Sequence, residues 1–138
     1  MSGACDACLR RGYLIGLLPG WIAGLIGRPG RRPSELLALD DASLAEAVGG
    51  KGRQEALAFL GRFEPRRARA DLRRAGVTAV CRHHQGYPEA PPALNDKPTV
   101  LFCRGRVELL AAVDEEPAVT VVGTRDATPY AIGVAHDV

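Results

Sequence analysis

Apolar positions recur at helical spacing through the first half of the chain and gather into short β-branched runs in the second. Leu9 to Leu18 supports one helix and Trp21 to Ile26 a shorter one, broken at Pro19-Gly20. A basic loop, Arg28 to Pro33, comes next. Ser34 then opens a short helix through Leu36, Leu37 and Leu39, and Ser43-x-x-Glu46 is a capping box for another that Gly49-Gly50 closes. Leu57, Leu60 and Phe63 share a face of a helix over about 53–63. Glu64-Pro65 starts one more, with Ala68, Leu72 and Ala75 on its inward face and Gly76 just past its end. From there the period shortens. Val77 to Cys81 and Thr99 to Cys103 read as strands, separated by a proline-rich loop, Tyr87 to Pro98, and Val107 to Val113 reads as a short helix before the acidic turn Asp114-Glu115-Glu116. Val119 to Val122 is an unbroken β-branched run that suits a strand buried on both faces of a parallel sheet. Gly123 ends it, a turn follows, and Thr128 as N-cap with Pro129 at the first helical position opens a helix carrying Ile132, Val134 and Ala135.

The expected fold class is therefore α/β, in two parts. Residues 1–76 form a small all-helical domain, and residues 77–138 begin a Rossmann-like parallel-sheet domain. At 138 residues the chain is too short for a complete doubly wound sheet beside a helical module, so it reads as an amino-terminal fragment of such a protein. The Val119 to Val122 strand is accordingly expected to lack the neighbours that would bury both of its faces.

Charge changes the picture once it is divided. The net charge of +2 hides a basic middle and an acidic end. The helix after Pro65 carries Arg66, Arg67, Arg69, Arg73 and Arg74 against Asp71 alone, a stripe able to follow a polyanion backbone without reading sequence. The glycine-punctuated stretches LPGWIAGLIG and VGGKGRQEAL add a hint of a helix-hairpin-helix, whose hairpin presents backbone N–H groups to DNA phosphates. The strand–turn–helix junction at Gly123, Thr124 and Arg125 is a second anion site: the helix start supplies N–H groups and dipole, and Arg125 a planar two-donor fork.

Four cysteines, Cys5, Cys8, Cys81 and Cys103, are too few and too scattered for a secreted disulfide scaffold, which makes a cytoplasmic location the expectation. Tyr13 to Gly27 is apolar and follows Arg10-Arg11, but it is short for a bilayer span, is interrupted by Pro19 and glycines, and precedes no cleavage pattern; no membrane association is expected. Cys5-x-x-Cys8 is half of a tetrahedral zinc site. Cys81 with His83, or with His84 in its place, can complete it if the helical part folds back over the first strand. Cys103 reads as a small hydrophobe within a strand. The chain has no GxSxG, no HExxH, no P-loop and no complete GxGxxG. An enzyme reading is confined to a nucleotide-processing, phosphoribohydrolase-like protein on a related sheet, and the acid and nucleophile it would need are not in view.

Several motifs then fall in register: Tyr87-Pro88, Pro98-x-Val100-Leu101-Phe102 with Arg104-Gly105, and Val119-x-Val121-Val122-Gly123-Thr124-Arg125 followed by Tyr130. Together they resemble the DNA-processing protein A family (DprA, also called Smf) over about residues 77–138, and the helical part resembles that family's amino-terminal module loosely. The resemblance implies a Rossmann-like core that binds single-stranded DNA entering in natural transformation and hands it to RecA, without catalysis and without a required cofactor. It implies that Gly123, Thr124 and Arg125 form the DNA-phosphate turn, and that a homodimer would use later parts of the core. Ala131 stands where the family usually has Gly, and Pro91-Pro92 where a leucine is expected.

Overall fold

The computed structural model describes residues 3–27, 32–89, 97–112, 119–124 and 126–137. Six helices come first: α1 (Asp6–Leu17), α2 (Pro19–Ile26), α3 (Pro33–Ala38), α4 (Asp41–Val48), α5 (Gly50–Arg62) and α6 (Pro65–Arg74). Two strands follow, β1 (Val77–Cys81) and β2 (Val100–Arg104), then a 3₁₀ turn at Val107–Ala112 and a last helix, α7 (Pro129–Asp137). Proline at the first helical position opens α2, α3 and α6, because its missing N–H has no intrahelical partner to lose there. Gly49 and Gly76 both take positive φ, 64° in each case, where helix meets turn.

The cap of α4 differs from the capping box read in the sequence. Asp40, three residues upstream of Ser43, is the N-cap: its carboxylate accepts the Ser43 N–H at 2.8 Å and the Ser43 hydroxyl at 3.0 Å. An ionised carboxylate at a helix N-terminus also meets the favourable end of the dipole, which a serine hydroxyl cannot match. Those two bonds from Ser43 hold the Asp40 carboxyl below the usual range.

Two apolar clusters share α1. Leu14, Leu18, Ile22, Leu25, Leu36, Leu44, Ala45 and Ala56 close the helical core. On the other side of the same helix, Cys8 and Leu9 join Ala4, Ala68, Ala79, Cys81 and Val100, so α1 and α6 pack directly on the sheet. Tyr13 sits between rings, 5.8 Å from Phe63 and 5.7 Å from Phe102 in an edge-on contact. Gly12 lets α1 lie this close, since a Cβ there would collide with Val100 Cγ1.

Gly52 does the same for α5. A Cβ at this position would lie 2.9 Å from two atoms of the Trp21 ring, while the site of Gly61 on the same helix is open. Gly52→Ala is expected to cost about 1–3 kcal/mol from overpacking, less up to about 1 kcal/mol of helix propensity, whereas Gly61→Ala gains only the propensity. Trp21 is the single tryptophan of the chain, so its fluorescence should move in the first variant and stay put in the second.

The sheet departs from the parallel, Rossmann-like arrangement expected from the sequence. Among the described residues it has two strands, antiparallel, in register from Val77 opposite Arg104 to Cys81 opposite Val100. The connection explains the direction. His84 N–H bonds the Cys81 carbonyl, Tyr87 N–H bonds the His84 carbonyl, and the Tyr87 hydroxyl donates to the Pro98 carbonyl at 2.6 Å, so the chain returns to the end it left and does not cross over. Tyr87-Pro88 and Pro98 thereby acquire a structural task. Val119 to Val122 is not a strand: Val119 is 80% and Val122 85% exposed, and among the described residues no neighbouring strand takes their backbone bonds. Among the described residues no helix is long and apolar enough to cross a membrane.

Candidate functional site

A cysteine–histidine cluster forms where the amino terminus meets the sheet. The Ala4 N–H donates to the Ala79 carbonyl at 2.8 Å, laying the first residues along β1, and α1 begins at once with Cys5 as its N-cap. This places Cys5 at the rim and Cys8, one turn on, beneath it. Cys81 ends β1, and the turn after it brings His83 over the three sulfurs. His83 Nδ1 lies 3.7 Å from Cys5 Sγ, 3.3 Å from Cys8 Sγ and 4.0 Å from Cys81 Sγ. All four ligand atoms lie within 4.8 Å of one another. In a zinc tetrahedron with bonds of about 2.0–2.3 Å the ligand atoms are separated by roughly 3.6 Å, so the cluster has the size of a four-coordinate site.

The local electrostatics are those of thiols gathered around one point. Burial, and then the neighbouring sulfurs of Cys5 and Cys81, push the Cys8 thiol up to about 12. For Cys81, burial acts upward, but backbone N–H groups of Cys5 and His83 and the other two thiols outweigh it and hold it below its ordinary value. His84, the alternative fourth ligand, is engaged elsewhere: its Nδ1 accepts the Gly86 N–H at 3.0 Å. Cys103 stands apart on β2, half-buried, its thiol raised by burial.

The arginines of α6 separate into two groups. Arg66, Arg67, Arg73 and Arg74 are exposed, on the side opposite the buried Ala68, and residues seven apart on a helix stand nearly in line about 10 Å apart. Arg74 is ion-paired with Asp71. Arg69 points elsewhere, toward the cluster, donating to the Ala4 carbonyl at 2.8 Å and pairing with Asp6 at 2.6 Å. The sequence stripe therefore contains one arginine that holds the amino terminus in place. The C-terminal carbonyls of α6 receive a cation from the sheet, Arg104 Nη2 to the Ala75 carbonyl at 2.7 Å.

Ahead of α7, where the sequence suggested a strand–turn–helix junction, Gly123 and Thr124 are exposed and Arg125 lies outside the described residues. Thr124 Oγ1 accepts the Asp126 N–H at 3.4 Å, and Thr128 Oγ1 accepts the Ala131 N–H at 3.3 Å, the cap expected for α7. Ala131 thus takes part through its backbone. The acidic turn Asp114 to Glu116 and Pro91-Pro92 lie outside the described residues.

Sequence reasoning missed a buried ion pair. Arg11 is only 7% exposed; its guanidinium donates to Asp41 at 3.1 Å and to the Leu37 carbonyl at 2.9 Å, while Arg10 Nε donates to the other Asp41 oxygen at 2.9 Å. The Arg10-Arg11 pair that precedes the apolar stretch is a bolt between α1 and the α3–α4 corner.

Residues 78–138, β1 through α7, match the family described as DNA recombination-mediator protein A. Over this segment, which is less than half of the chain, the protein is similar to that family. No curated protein and no solved structure gave a significant match.

Proposed function

We propose that this protein binds single-stranded DNA without regard to sequence and passes it to RecA during natural transformation, acting in the cytoplasm as a mediator and not as a catalyst. The family match over residues 78–138 carries the reading. Two features of the chain support it. Arg66, Arg67 and Arg73 stand exposed on α6 with no ion-pair partner among the described residues, and Gly123, Thr124 and Arg125 precede a helix whose N-terminus is capped and opened by Thr128 and Pro129. Backbone N–H groups at such a start favour a phosphate, and a guanidinium in the turn adds charge-assisted bonds that the helix alone does not supply. The reading gives the protein two DNA contacts, the turn as the phosphate grip and the α6 face as an accessory track. A homodimer through other parts of the core belongs to the same proposal.

Arg125→Ala tests the turn. Single-strand affinity should weaken by about 1.5–3 kcal/mol for all sequences alike, and the slope of log affinity against log salt should become shallower by about 0.7. Arg125→Lys should restore part of the loss, because an ammonium keeps the charge and loses the fork. A folded Arg125→Ala protein with unchanged affinity and slope would remove the turn from the site.

A further inference from the structure

We propose that Cys5, Cys8, Cys81 and His83 hold one structural Zn²⁺ ion that staples the start of α1 to the end of β1. The donors come from two places far apart in the chain, Cys5 and Cys8 at the start of α1 and Cys81 with His83 at the end of β1 and the turn after it, 75 residues separating Cys8 from His83. Their ligand atoms nevertheless converge within 4.8 Å. Two observations show that the backbone is built toward this point. The Ala4 N–H bond to Ala79 and the Arg69 contacts to Ala4 and Asp6 fix the residues on either side of Cys5. His84, next to His83, is turned into its own bond with Gly86, which leaves one histidine for the cluster.

The donor set selects the ion. Three thiolates and one imidazole suit tetrahedral zinc, and with four protein ligands the site is closed, so its role is structural. On binding, Zn²⁺ displaces the three thiol protons to solvent and takes His83 as the neutral imidazole through Nδ1, leaving the site with a net charge of −1. Arg69 and its ion-pair partner Asp6 line the same cleft. Because the cross-link closes a loop that contains α1 to α6, the metal acts on the docking of the helical part against the sheet.

Protein purified without chelator should carry about one zinc per chain by elemental analysis. His83→Ala should lower zinc affinity by at least about 100-fold, while His84→Ala retains it. Cys8→Ser should abolish binding, but that variant can fail to fold, so the unaltered chain provides an independent measurement. Stripped of zinc and refilled with Co²⁺, it should show the intense visible bands of tetrahedral cobalt together with thiolate-to-cobalt charge transfer. Metal content near zero, a weak octahedral cobalt spectrum, iron in place of zinc, or loss of metal in His84→Ala with retention in His83→Ala would each overturn the proposal. None of these readouts involves DNA, so they stand or fall apart from the DNA-binding reading.

Discussion

Asp41→Ala should destabilise the protein by about 3 kcal/mol, a larger loss than any other single exposed or half-exposed carboxylate of the described residues would give. Asp41 accepts from both Arg10 and Arg11, and the side chain of Arg11 is 9% exposed against 15% for Asp41. Truncating the carboxylate leaves the Arg11 guanidinium buried with only the Leu37 carbonyl, and an uncompensated buried charge is far costlier than a lost surface pair. Glu46→Ala breaks the exposed pair with Arg53 and should cost under about 1 kcal/mol, which sets the scale. The double variant Asp41→Ala with Arg11→Met should recover much of the loss, because an apolar side chain of similar length fills the site without a charge to satisfy. Chemical denaturation reads all three. A midpoint for Asp41→Ala within error of the unaltered protein would mean that Arg11 is solvated and that the bolt between α1 and α4 does not bear on stability.

The second large effect is expected on the α6 face. Replacing Arg66, Arg67 and Arg73 together by alanine should leave the fold intact, since all three side chains are exposed and alanine favours a helix. Single-strand binding should weaken, and the salt slope should flatten by about 2 if each arginine neutralises one phosphate. Arg69→Ala makes the contrast. Its guanidinium is bonded to Ala4 and Asp6, so its loss should lower stability near the amino terminus and leave the slope where it was. An unchanged slope in the triple variant, measured on folded protein, would return this arginine face to plain solvation.

The legible parts of the chain were those that local chemistry writes directly. Pro65 and Pro129 at helix starts, Gly49 and Gly76 at helix ends and Thr128 before Pro129 each answer a need of the backbone within a few residues, and the elements they bound were readable for that reason, whereas Pro19 and Pro33 read as a break and a loop end although each opens a helix. The Cys5-x-x-Cys8 pair was readable as two donors of a candidate cluster, with Cys81 and either His83 or His84 to join them; the sequence left the histidine open, and the geometry brings His83 to the three sulfurs. Long-range pairing was not readable. Nothing in the spacing of Val77 to Cys81 and Thr99 to Cys103 states whether the chain between them returns or crosses over; that depends on the Tyr87 hydroxyl reaching Pro98. Charges were misleading for the same reason. Arg11 and Arg69 look like surface residues in sequence, and their partners, Asp41 and Ala4, lie 30 and 65 residues away. Gly52 reads as part of a glycine-punctuated stretch and Gly12 passes unmarked within a helical run, although each is a place where another side chain presses against the backbone.

The claim on which the functional account rests is sequence-independent, electrostatic binding of single-stranded DNA. The direct measurement is equilibrium binding of the whole chain to labelled single strands of two unrelated sequences across a salt series. Both strands should bind with similar affinity, and log affinity should fall linearly with log salt, with a slope of several units times about 0.7. Absence of binding at low salt, or binding that ignores salt, would contradict it.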